Sequence, residues 1–177
     1  MQTNKSKNQT APLPIQVEAV NQFHQVIESY FDINNLKGIN GVLIELVSAV
    51  TGPDPRVGKH APIHIAGTLT DVRNTINLIS KAKVLVNEPS FKDYTQNLAY
   101  NLQAVGSFDT DHLSDLLYTA LDCYIFQEDN FEGATLQFAS EITATFKFIY
   151  DWLVECDAWL KVSTVNESLN QELVISG

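Results

Sequence analysis

One stretch, Asn130 to Lys161, limits what this chain can fold into more than any other. Placed at ~100° per residue, it reads as a single helix of about nine turns. One face carries Phe131, Phe138, Ile142, Phe146, Ile149, Leu153, Cys156 and Leu160. A second apolar strip beside it carries Ala134, Phe148, Trp152 and Trp159. The polar remainder is narrow: Gln137, Ser140, Lys147, Asp151, Glu155 and Lys161. A surface helix has one apolar stripe, whereas one apolar over more than half its circumference is enclosed. This helix therefore needs neighbours on two sides, or one neighbour plus a second copy of the chain. The strip of Phe148, Trp152 and Trp159 is the expected seam for a partner or for that copy. Asn130 is a good N-cap, and Glu132 complements the positive end of the helix dipole. Gly133 with Thr135, Thr143 and Thr145 lowers intrinsic propensity, so packing has to hold the helix.

The rest of the chain supplies the neighbours. Residues 1–13 are polar and read as a disordered leader. Pro14 suits the first turn of a helix running to about Phe31, with Val20, Phe23, Val26, Ile27, Tyr30 and Phe31 inward. Asp32-Ile-Asn-Asn breaks it. A second helix starts at about Leu36 or Ile39 and ends at Val50. Thr51 to Gly67 reads as a long irregular segment, because Gly52-Pro53-Asp54-Pro55 must turn and Pro62 interrupts a helix. Thr70 or Asp71 caps a third helix to about Asn87, and Glu88-Pro89 stops it. Ser90, with Asp93 in a capping-box position, opens a fourth helix that reaches Val105 and ends at Gly106. Asp109 or Thr110 opens a fifth, with Leu113, Leu116, Leu117, Ala120, Leu121 and Tyr124 as its core face. Residues 163–177 read as a flexible tail or short arm. The expected fold is an all-α bundle of five or six helices over residues 14–162, with a long central C-terminal helix.

Bulk properties agree with one globular domain. Of the 177 residues, 45% are hydrophobic and 18% charged, which is ordinary for a folded protein and leaves a sizeable core to bury. No apolar run is long enough to span a membrane. The leader lacks the apolar core of a secretory signal, so a cytoplasmic location is expected. Charge is uneven. Residues 1–92 hold nine Lys/Arg against seven Asp/Glu, and residues 93–177 hold two against fourteen. The acidic half argues against contact with nucleic acid phosphates and suits a basic protein partner. Cys123 and Cys156 are the only cysteines. If the fifth helix folds back on the last as a hairpin, they lie ~30 Å apart along the axis, too far for a disulfide. Two free, buried thiols are expected.

Candidate sites follow from these patterns. Asp111, Asp115 and Asp122 fall on one stripe of the fifth helix, opposite its apolar residues, and are the expected partner-binding acidic face. His112 lies beside them. Arg56, Lys59, His60 and His64 concentrate basic character in the 52–67 loop. That loop is a candidate anion or ligand site, or a lid over a pocket between helices. His60 and His64 would be ~13 Å apart in extended chain, so no metal site is expected. Glu141 and Asp157 sit among apolar residues on the wheel and are candidates for buried carboxylates with raised pKa. They are ~24 Å apart along the axis and cannot form one catalytic pair. The chain lacks the Glu-x-x-His element of di-iron bundles, a Gly-rich phosphate loop, a G-x-S-x-G elbow and a Cys-x-x-Cys pair. No cofactor is implied. The leading expectation is a non-enzymatic interaction or assembly protein: an adaptor, a structural subunit or an acidic inhibitor. Its expected partner is another protein, a basic one included, or a second copy of itself. The alternative is a ligand-binding protein or enzyme using the 52–67 loop.

Overall fold

The computed structural model describes residues 14–51, 62–95, 100–125 and 136–175. They form an all-α bundle with no strand among the described residues. In chain order the helices are α1 (Pro14–Phe31), α2 (Leu36–Thr51), α3 (Pro62–Val86), α4 (Pro89–Thr95), α5 (Tyr100–Gln103), a 3₁₀ turn (Ala104–Ser107), α6 (Thr110–Ile125) and α7 (Leu136–Ile175). None of the described helices is long and apolar enough to cross a membrane.

Local chemistry sets several of the boundaries. The Asn34 side chain donates to the Tyr30 carbonyl at the end of α1 (3.0 Å). Asn35 then caps α2, its Oδ1 accepting from the Gly38 N–H at 2.8 Å. Two prolines begin helices instead of ending them. Pro62 is the first residue of α3 and Pro89 the first of α4, positions where the missing N–H costs nothing and the fixed φ is already helical. The third helix thus starts eight or nine residues before the expected Thr70 or Asp71, and residues 62–67 are helical, not irregular. The fourth expected helix is not continuous. It is divided into α4, α5 and the 3₁₀ turn, and Ser90 lies inside α4 with its buried hydroxyl unpartnered instead of capping it. Gly106 lies within the 3₁₀ turn. A Cβ there would stand 3.0 Å from Asn87 Oδ1 and 3.1 Å from Val86 Cγ2. The close approach lets Asn87 Nδ2 donate to both the Lys83 and Gly106 carbonyls, tying α3 to the turn.

The last helix does not stop near residue 162; its backbone is helical to Ile175. Between Ser163 and Ile175 there is no Pro or Gly, so nothing interrupts propagation once the helix is established. The expected N-cap Asn130 lies outside the described residues. Packing follows the predicted pattern. α7 lies against α1, α2, α5 and α6, while α1 pairs with α3 and α4, and α2 with α6. Phe23 and Ile27 of α1, Leu46 of α2, Ile79 and Val86 of α3, Phe91 of α4 and Leu102 of α5 enter one core. Leu113 and Leu117 of α6 join them, as do Ile142, Ile149 and Leu153 of α7. Each such side chain contributes roughly 1.5–3 kcal/mol by leaving water.

Candidate protein-binding surface

The α6 helix is held by its buried leucines and capped by Asp109. Oδ1 of Asp109 accepts from the backbone N–H groups of Asp111 and His112, both at 3.1 Å. These two bonds, His112's first, hold the Asp109 carboxyl below the usual carboxylate range. With Leu113, Leu116, Leu117, Ala120 and Leu121 buried, the opposite face must point outward. Asp111, Asp115, Tyr118 and Asp122 occupy that face, and all four are exposed. They follow steps of four, three and four residues, one continuous stripe about 16 Å long at ~1.5 Å per residue. None of the three carboxylates makes an ion pair with a described residue. At the head of the stripe His112 Nε2 meets Glu141 Oε1 of α7 at 2.7 Å. Both side chains are about half exposed, so this pair joins α6 to α7 but adds less than about 1 kcal/mol.

Other expected site residues are dispersed. Glu141 is not buried; the contact with His112 draws it to the surface, where its carboxylate stays solvated. Asp157 is half-buried and pairs with Lys161 one turn on, the ordinary solution for a carboxylate at a helix edge. The aromatic seam expected on α7 is used within the chain itself. Trp152 is buried and donates its indole N–H to the Leu102 carbonyl at 3.2 Å. Phe148 stacks on Phe108 with centroids 4.4 Å apart, and Trp159 meets Phe23 edge-on at 5.4 Å. The α5 segment and Phe108, just beyond the 3₁₀ turn, fill the side of α7 that the strip was expected to offer to a partner. Of the loop cluster, Arg56, Lys59 and His60 lie outside the described residues. His64 sits exposed in the first turn of α3 and makes no ion pair with Glu141 or Asp157 among the described residues.

Both cysteines are free and buried. Burial pushes their thiols up, Cys156 strongly and Cys123 less so, which leaves them protonated and unreactive. No group of three or more His, Cys, Asp or Glu among the described residues is placed to hold a metal ion.

Comparison with known proteins gives no match to a family model, to a curated protein or to a solved structure. The geometry alone therefore carries the functional reading.

Two surface features were missed in the sequence reading. Tyr118 supplies an exposed aromatic in the middle of the acidic stripe. Its signal was present in the spacing of 111, 115, 118 and 122, but the larger Trp and Phe strip on α7 drew the aromatic role. The second is a groove of about 730 Å³ between α1 and α3. Gln22, Gln25, Asn74 and Asn77 line it, with Tyr30 and Leu78 lower down. The Thr75 hydroxyl donates to the Asp71 carbonyl at 2.8 Å. It therefore accepts from Tyr30 Oη at 3.0 Å. Burial pushes the Tyr30 phenol up to about 12.

Proposed function

We propose that this chain is a non-enzymatic interaction protein that binds a basic polypeptide through the acidic face of α6. The observation that carries this reading is the stripe of Asp111, Asp115 and Asp122 around Tyr118, exposed and without cationic partners among the described residues. Three like charges on one helix face repel each other by a few tenths of a kcal/mol per neighbouring pair. A Lys- or Arg-bearing surface relieves that repulsion, and the tyrosine ring offers contact area and a cation–π face. The acidity of residues 93–177 extends the attraction and speeds encounter with a basic partner. The two unbridged thiols suit a reducing, cytoplasmic setting.

The test is a photo-crosslinking residue at position 118, introduced into the full chain in its own cells, with position 162 of α7 as an exposed control. We expect a discrete adduct with a basic polypeptide from position 118 alone. It is lost when Asp111, Asp115 and Asp122 are all changed to Asn. No adduct at 118, or the same adducts from both positions, overturns the reading.

A further inference from the structure

We infer that the groove between α1 and α3 is a self-association surface, which a second copy of this chain covers across a two-fold axis. The two helices run antiparallel. Tyr30 Oη meets Thr75 Oγ1 at 3.0 Å, while Phe23, two turns earlier on α1, packs 4.9 Å from Phe91, just beyond the end of α3. Ile33 therefore stands at one end of the groove and Val84 at the other, about 18 Å apart at ~1.5 Å per residue. Both line the groove, and they are 76% and 65% exposed. Aliphatic side chains that open to water at both ends of a concave surface are places where covering gains free energy.

The chemistry of the lining selects the occupant. A two-fold contact places like on like. In a chain of net charge −10, most such contacts set carboxylate against carboxylate. This groove is different, because among the described residues no carboxylate lines it and Lys81 is its one charged side chain. Gln22, Gln25, Asn74 and Asn77 are amides, each able to donate and accept, so they complement their own image. The described lining offers a basic partner no carboxylate, whereas α6 presents three. A two-fold axis through the middle of the groove brings Ile33 of one copy against Val84 of the other, twice. The same operation carries Lys81 toward the Ile33 end, where Asp32 supplies an exposed carboxylate. The α1–α3 pairs of two copies then form a four-helix arrangement with the amides between them. The acidic stripe is on α6, a separate element, so this pairing stands or falls independently of the reading proposed for that helix.

Sedimentation equilibrium on the purified full chain, over a concentration series to about 100 μM, reads the association. Wild type is expected to reach twice 19.7 kDa. Ile33→Lys and Val84→Lys change exposed positions, and matching circular dichroism and melting curves will show that each still folds. Each is expected to weaken dimerisation at least tenfold. A second measurement fixes the register. Under mild oxidation the double variant Ile33→Cys, Val84→Cys is expected to form a covalent dimer, and neither single variant does so. A wild type that stays monomeric throughout overturns the proposal. So does a dimer that tolerates both lysines, or one in which the single Ile33→Cys variant cross-links as efficiently as the double.

Discussion

Asp109 shows how a single side chain couples this fold to pH. Its carboxylate caps α6 through two backbone N–H groups, and its pKa in the folded protein is lowered. A lowered carboxyl pKa means that the stabilisation is present above the unfolded value of ~3.9 and lost as pH falls through the folded value. Asp109→Ala is therefore expected to lower the melting temperature at neutral pH. The gap to wild type should close as pH drops below the ordinary carboxylate range, which melting curves across pH will show. An unchanged gap at all pH values would mean that the charge does not act through the cap. This cap was legible in the sequence, since a short acidic side chain before an amphipathic run has few other uses. The surroundings of Glu141 were not. A helical wheel reports the neighbours on its own helix only, and the imidazole that holds Glu141 at the surface comes from α6, 29 residues earlier.

At the scale of elements, Phe23 links three helices. It is fully buried and meets the rings of Phe91 on α4 and Trp159 on α7 edge-on, at 4.9 and 5.4 Å. Phe23→Ala is expected to destabilise by roughly 3–5 kcal/mol, the range for removing a large aromatic from a packed core. Urea unfolding measures this, and a loss under about 1 kcal/mol would place the ring outside the cooperative core. The inward face of α1 and the leucine face of α6 were readable because period and burial agree there. Prolines were harder. A proline forbids the interior of a helix but favours its first position, and sequence alone does not say which applies at Pro62. The end of α7 was misjudged for a related reason. Polarity after Lys161 suggests the end of the helix, yet a helix can lose its apolar stripe without unwinding.

At the scale of the molecule, the bundle divides its surface by chemistry. Among the described residues, the α6 face gathers carboxylates without ion pairs about a tyrosine, while the α1–α3 groove is lined by amides and no carboxylate. The charge asymmetry between the two halves of the sequence anticipated the first. It said nothing of the second, because a neutral stripe is silent in a count of charges and becomes visible only when two helices are set side by side. The aromatic strip of α7, expected as a seam for a partner or a second copy, packs within the chain. The cover is α5, Phe108 and α1, supplied by the same chain. The measurement that most directly tests the central claim, binding of a basic polypeptide through α6, is the native mass and composition of the tagged protein isolated gently from its own cells. A species containing a second, basic polypeptide is predicted, released by high salt and absent when Asp111, Asp115 and Asp122 are Asn. A native mass equal to 19.7 kDa or a simple multiple of it, with no other polypeptide present, would contradict it.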